Sequence, residues 1–474
     1  MIRILGMNVL PEMLALWLLE TTASVIVFYV LLHNTALLPS LVASFSGLDA
    51  ADALLLALTV GLVAFTIGLY RPETCLETRR LIGKALASAA MSVPAVWVVA
   101  EAGNMDSNGL FGNNPIWPIG ILFAWSGLLL FTRVLYKIAL RHNLFIRRMV
   151  VLGGDDAVGE IVSSIDGSRR GLFRAQPLTE SRGQALIGVE ATAPAPLPAG
   201  LWGVVFDSAP VPAGLPGGVR VFDAASFSET HLNRIDIDSV ARRGEASRSA
   251  QAATPFGRLA MIREGRRMAR RVTDNPRRRL VQDILQRGMD LAIAVPLLLL
   301  SSPILLITAL LIRLESPGPV IYRQERVGLD GRSFTILKFR SMRADAERAG
   351  PTWAAKSDSR VTRIGGFIRK VRIDELPQLM NILRGDMSVV GPRPERPHFV
   401  AQLSREIPVF AERARVKPGL TGWAQINYPY GSSIEDARNK LSFDLYYIKH
   451  RSLLFNLVIL FATIRVILFQ EGAR

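Results

Sequence analysis

The chain has 474 residues, half of them apolar, and its mean hydropathy of +0.28 is high for a soluble protein. Its 56 Lys and Arg outweigh 40 Asp and Glu, and the resulting net charge of +16 suits anionic lipid, nucleic acid or phosphorylated substrates. A single cysteine, Cys75, excludes an intramolecular disulfide and a thiolate metal cluster. The five histidines include no pair at ligand spacing, so a catalytic metal is expected to be a hard, oxygen-bound ion such as magnesium rather than zinc.

Apolar segments at 13–33, 52–70, 81–100 and 116–140 each approach the ~20 residues of a spanning helix, and they predict a four-helix transmembrane region over 1–146. The loops 34–51 and 101–115 lack Lys and Arg, whereas Arg71, Arg79, Arg80 and Lys84 follow the second segment. Arg133, Lys137, Arg141, Arg147 and Arg148 run along the fourth and beyond it, so both ends are expected to be cytoplasmic. The first apolar run is too long for a signal peptide and lacks a clear cleavage site. Glu20 and Lys84 lie within these segments and are expected to be accommodated by partners rather than to form a transport path.

Residues 147–240 read as a small Rossmann-like α/β domain. The run Met149-Val150-Val151-Leu152-Gly153-Gly154 predicts a buried strand, 155–165 its helix, and 202–207 and 219–223 further strands. The glycines do not fit G-x-G-x-x-G, so a regulatory or dimerising role is expected in preference to dinucleotide binding. An Arg-rich linker follows at 241–279, with twelve arginines and three acids. It has neither interleaved aromatics nor a binding motif, so no nucleic-acid partner is expected; its place ahead of an apolar stretch points to anionic inner-membrane lipids, or to a solvated linker in its first half.

From 280 to 474 a further domain is expected. Its apolar stretch 291–312 is long enough to cross a membrane, yet Arg277, Arg278, Arg279 and Arg287 precede it and Arg313, Arg323 and Arg326 follow. Both flanks ask to be cytoplasmic. The expectation is a re-entrant helix near 284–312, broken at Ser302-Pro303, where Ser301 and Ser302 can satisfy carbonyls freed by the proline. A hairpin follows, with strands in 319–327 and 333–342 joined through Leu329-Asp330-Gly331-Arg332, and its second strand carries Lys338 and Arg340. Near the end, 453–469 is apolar but short and includes Asn456 and Arg465, which predicts a helix resting on the inner leaflet.

The focus of the domain is Val371-Arg372-Ile373-Asp374-Glu375-Leu376-Pro377-Gln378, an acid pair between a basic helix end and a second helix closed by Gly385. An aspartate here would ordinarily be an N-cap, but Pro377 would then fall at N3 and offer no N–H to it. Structural and catalytic readings both stand at this point. Arg393 follows in a rigid turn between Pro392 and Pro394, and its fork can hold a phosphate through two bonds.

Four motifs in order carry a resemblance. They are Ile336-Leu337-Lys338-Phe339-Arg340-Ser341-Met342, the acid-pair segment, Gly385 through Pro394, and Val416-Lys417-Pro418-Gly419-Leu420-Thr421-Gly422-Trp423-Ala424-Gln425-Ile426-Asn427. Together they resemble the bacterial sugar transferase family, the polyprenyl-phosphate hexose-1-phosphate transferases. The resemblance implies a monotopic α/β catalytic domain on one leaflet that uses a UDP-sugar, polyprenyl phosphate and Mg2+. It assigns Asp374 as nucleophile and Glu375 as its metal-binding partner. Lys338, Arg369 and Arg393 are then expected to bind substrate phosphates, with Arg340, Arg396 and Lys417 as further candidates. Arg372 stands where many relatives have serine, and Tyr428-Pro429-Tyr430-Gly431 replaces a common Asn-Gly-Arg, which suggests a large exopolysaccharide-initiating type. A Leloir glycosyltransferase releasing UDP, and a membrane scaffold or transporter, are the competing readings. A homodimer formed through the N-terminal region is a further expectation, with no coiled-coil or interface pattern behind it.

Overall fold

A computed structural model describes residues 2–4, 7–9, 11–33, 50–70, 74, 77–102, 116–142, 145–153, 158–159, 161–163, 165, 172–179, 201–206, 219–237, 276–343, 360–407, 409–428, 431 and 433–468. It divides into two compact units. One runs through Leu232, save three residues near the N-terminus, and the other begins at Asn233.

In the first unit two short strands, β1 (Ile2–Ile4) and β2 (Met7–Val9), precede helices α1 (Pro11–His33), α2 (Ala50–Ile67), α3 (Thr78–Ala102) and α4 (Ile116–Arg141). On α2 the buried positions Ala53, Leu56, Ala57, Val60 and Ala64 share one helical face, where small side chains let neighbouring helices approach. Leu54, Leu55, Leu58 and Leu62 point outward and stay exposed. Glu20 is fully buried, pairs with equally buried Arg133, and accepts from the Tyr70 hydroxyl at 2.6 Å and from Thr132 at 2.5 Å. Lys84 donates to Thr74 at 3.1 Å. Both buried charges therefore have partners, as low dielectric demands.

The same unit contains four parallel strands in the order β4 (Phe173–Thr179), β3 (Arg147–Gly153), β5 (Leu201–Phe206), β6 (Arg220–Asp223), followed by α5 (Ala224–Leu232). β4 is absent from the sequence reading. It is an edge strand carrying Arg174, Gln176 and Pro177, where polar residues and a missing donor are tolerated and the apolar signal is weak. Of the helix expected at 155–165, residues 158–159, 161–163 and 165 are described and helical, and Val158 and Ile165 are buried against this core.

The second unit is built on α6, a 40-residue helix from Pro276 to Glu315 that stays helical through both Pro296 and Pro303, so the interruption expected at Ser302-Pro303 does not divide it into two helices. Pro303 leaves the Leu299 carbonyl without its helical N–H, and the Ser302 hydroxyl donates to that carbonyl at 2.7 Å. Among the described residues, Thr78–Val99 and Leu280–Glu315 are long and apolar enough to cross a membrane. Leu299, Leu300 and Leu306 are 68%, 77% and 73% exposed, too much apolar surface for a soluble core helix, so the chain is a membrane-associated protein.

Strands β7 (Ile321–Val327) and β8 (Ser333–Phe339) form the expected antiparallel hairpin, with Asp330 and Gly331 at φ 53° and 79°. Next come α7 (Arg363–Lys370), a 3-10 turn over Ile373–Gln378, and α8 (Leu379–Arg384), whose end is closed by left-handed Gly385 as predicted. β9 (Ser388–Val390) pairs in parallel with β10 (Gly419–Thr421). A Cβ on Gly391 would lie 2.4 Å from the Lys417 carbonyl oxygen, so only glycine lets the chain cross there. Helices α9 (Pro397–Glu406), α10 (Trp423–Asn427), α11 (Ile434–His450) and α12 (Leu453–Leu468) complete the unit, with a second 3-10 turn over Phe410–Arg415. Asn456 and Arg465 of α12 face inward and are buried, while Leu454, Phe461, Ile464 and Ile467 form an exposed apolar face.

Residues 233–237, read from the sequence as the end of the α/β domain, belong to this second unit. The Asn233 carbonyl accepts from the Trp423 indole at 3.0 Å and its side chain from the Tyr446 hydroxyl at 3.0 Å. Ile237 is buried with Leu403, Ile407, Phe410 and Leu441.

Candidate active site

The acid pair is presented by a change of direction. After α7 the backbone at Arg372 turns left-handed (φ 63°), an uncommon conformation for a side chain of this size, and the 3-10 turn begins. Asp374 therefore lies inside the turn and makes no capping bond, which removes the N-cap reading. Its Oδ1 is buried and has no hydrogen-bond partner.

Glu375 is surrounded differently. Its Oε1 accepts from Arg393 Nη2 at 2.7 Å and from Lys338 Nζ at 3.4 Å, and Arg372 Nη1 stands 4.0 Å away. Burial alone would raise its carboxyl, but Arg393 and Lys338 outweigh burial and hold it well below the usual carboxylate range. Burial and the adjacent Glu375 charge push Asp374 the other way, up to about 6, against the pull of Lys338. Burial also lowers the Lys338 ammonium while Glu375 opposes it. The result is one carboxylate committed to cations and, beside it, one held near the threshold of ionisation.

The structure brings together Lys338, Asp374, Glu375 and Arg393 from the predicted set. Arg340 requires correction: its guanidinium is buried and donates to the carbonyls of Ser316, at 2.7 Å, and Pro317, at 2.8 Å, so it closes the end of α6 and does not face a phosphate. Lys417 also lies elsewhere, its Nζ beside Gly385 at the far end of α8, with its charge acting on Asp290. Arg369 is half-buried on the last turn of α7, and Arg396 immediately precedes α9, its charge acting on Arg326.

Several residues that hold the site together escaped the sequence reading. Asn381 accepts from Leu337 N at 3.0 Å and donates to Thr335 O at 2.7 Å, which joins the helix after the acid pair to the strand bearing Lys338. Its signal was a lone amide within an apolar helix. From α6, Arg287 donates to Ile382 O and Leu383 O at 2.6 and 2.7 Å, while Asp290 accepts from Ser388 and Val389 N, both at 2.8 Å. The polar positions of the membrane helix are thus used to anchor α8 and β9.

Among the described residues, no three His, Cys, Asp or Glu converge on one point. A pair suffices for one hard cation, because magnesium retains waters and takes substrate phosphate oxygens as its other ligands. The orphaned Asp374 oxygen, and a Glu375 whose ion pairs all run through one oxygen, fit that donor set. Chemically, the arrangement offers fixed cations for an anion and an under-solvated carboxylate that can attack it.

Residues 281–470 match the family pattern described as Bacterial sugar transferase. Over 190 residues the chain is 52% identical to a UDP-N-acetylgalactosamine-undecaprenyl-phosphate N-acetylgalactosaminephosphotransferase of Aeromonas hydrophila, covering 40% of this chain and 45% of that protein. It is 44% identical over 186 residues to the UDP-glucose:undecaprenyl-phosphate glucose-1-phosphate transferase of Escherichia coli (strain K12), covering 39% of this chain and 40% of that one. The match therefore spans less than half the length of these two relatives. A Caulobacter vibrioides protein of the same name as the latter is 42% identical over 200 residues, which are 42% of this chain and 75% of its own. With sequence and site in agreement, the chain belongs to the bacterial sugar transferase family.

Proposed function

We propose that the protein transfers a sugar 1-phosphate from a UDP-sugar to polyprenyl phosphate, releases UMP, and so begins an exopolysaccharide repeat unit. The observation that carries this reading is the division of labour in the acid pair, with Glu375 neutralised by Lys338 and Arg393 beside an Asp374 that has an unpartnered buried oxygen. Both reactants are anions and repel a carboxylate nucleophile. Lys338 and Arg393 offset that repulsion, and the rigid turn fixes the attacking oxygen in line.

In the first step an Asp374 oxygen attacks the β-phosphorus. The bond from that phosphorus to the bridging oxygen breaks, its electron pair leaves with UMP, and a covalent aspartyl-phosphosugar remains. A phosphate oxygen of the lipid then attacks the same phosphorus, restores the Asp374 carboxylate and yields polyprenyl diphosphate sugar. Glu375 would hold magnesium, which supplies positive charge to the diphosphate when bound. The names of the relatives support undecaprenyl phosphate as acceptor and glucose or N-acetylgalactosamine among the sugars.

In this reading α1–α4 span the bacterial inner membrane with both ends cytoplasmic, β3–β6 form a Rossmann-like accessory domain, and α6 dips into the inner leaflet and returns near Ser302-Pro303. The basic flanks of the apolar segments and the exposed leucines of α6 support it. The test is nucleotide release from purified membranes given magnesium, polyprenyl phosphate and a panel of UDP-sugars. UMP from one sugar, abolished by Asp374→Asn, is the expected result; UDP, or undiminished turnover in the variant, would sink the reading.

A further inference from the structure

The turn that carries Arg393 belongs to no helix or strand, and two of its residues, Pro392 and Pro394, have no N–H. Its shape must therefore be set from outside, through its carbonyls. All of them are held. Pro392 O accepts from Gly419 N at 2.9 Å, Arg393 O from Arg413 Nη2 at 2.9 Å, Pro394 O from Arg326 Nη1 at 3.1 Å, and Glu395 O from Val327 N at 2.9 Å.

The bond to Arg393 O differs in how it is supported. Arg413 sits on the second 3-10 turn, its guanidinium 5.0 Å from the Phe410 ring centre, and the same Nη2 donates at 2.9 Å to Asp444 of α11. Asp444 is 2% exposed, and Arg413 Nη1 lies 3.8 Å from Glu395 Oε1. An ion pair buried this deeply gives little net stability compared with an apolar pair of the same volume, so stability alone does not account for it. What the pair provides is a fixed donor aimed at one carbonyl, that of the residue whose guanidinium engages Glu375.

Resting on the function proposed above, we infer that Arg413, anchored by Asp444, is a positioning residue that fixes the Pro392–Pro394 main chain so that Arg393 meets the phosphate of the incoming nucleotide sugar. Arg413 contacts Arg393 O, Asp444, Glu395 and the Phe410 ring, none of them in the acid pair. Its influence passes through the Arg393 carbonyl oxygen and, at 3.8 Å, the Glu395 carboxylate of the same turn, where an error of about 1 Å in a catalytic group can cost 100-fold in rate.

The test compares UMP release by full-length wild type, Asp444→Asn, and the double variant Arg413→Met/Asp444→Leu, which keeps the volume and removes both charges together. A 10- to 100-fold fall in kcat/KM for the UDP-sugar is expected in both variants, with the KM for polyprenyl phosphate within twofold and the double variant melting within a few degrees of wild type. A well-folded double variant with wild-type kinetics would overturn the inference alone, as would a loss that follows the fraction of unfolded protein. A wild type that releases no UMP would reject the proposed function and, with it, the role assigned to Arg413.

Discussion

Asp374 and Glu375 are adjacent and chemically alike, yet their surroundings send them in opposite directions. In the proposed reaction Asp374 must be ionised to attack, so its value of about 6 places the acid limb of kcat/KM near pH 6. A profile flat down to pH 4 would show that this carboxylate is not the group in use. The same burial has a stability sign. An acid raised above its unfolded value of about 3.9 is penalised once the unfolded chain ionises, so its cost sets in between about pH 4 and pH 6 and is complete above that. Asp374→Asn should therefore gain up to about 2 kcal/mol in urea unfolding at pH 8, gain nothing at pH 4, and be inactive at both. Arg340 makes the reverse case. Arg340→Met strands the carbonyls of Ser316 and Pro317 and should lose about 2–4 kcal/mol, while the KM for nucleotide sugar in the folded fraction stays within twofold.

At the scale of elements, the site is held by bonds between pieces distant in sequence. Asn381→Leu keeps the bulk of α8 but leaves Leu337 N and Thr335 O unpaired. It should cost about 2–3 kcal/mol in thermal unfolding and lower kcat by releasing β8, with Lys338 on it, from the acid pair. Such bonds mark the limit of what the sequence could disclose. Gly385, the Asp-Gly hairpin and the strand at 149–153 were legible because glycine conformation and apolar runs are local properties. Arg340 was misread because an arginine inside a recognisable motif carries no sign of whether its partner is a phosphate or a helix end. Asn381, Arg287 and Arg413 were missed for a related reason: their partners are backbone atoms that only the fold brings near. The acid pair itself was found from its motif, and its asymmetry emerged only with the burial of Asp374 and the convergence of Lys338 and Arg393 on Glu375.

For the whole molecule, the proposed topology places the chain beyond Glu315 on the same side of the membrane as the chain ahead of Pro276. Cysteines introduced at Arg277 and Arg323 in a Cys75→Ser background should both be shielded from an impermeant thiol reagent added outside intact cells. Labelling of one but not the other would make α6 a full crossing. The strap at 233–237 bears on the extent of the catalytic unit. A chain starting at 233 should unfold at higher urea than one starting at 276, because the latter uncovers Trp423 and Tyr446 and leaves their donors without Asn233.

That strap also changes the standing of the arginines between it and α6. The chain leaves Ile237 and re-enters at Pro276, and both points lie on the catalytic unit, so the nine arginines between them belong to a tether fixed at both ends. Its charges cannot drift from the start of α6 farther than the tether allows, which gives them a local concentration there whatever path the segment takes. In the proposed membrane orientation, each engagement with an anionic headgroup would count as an intramolecular event, and the basic segment would favour return of the unit to one patch of membrane over exchange between patches.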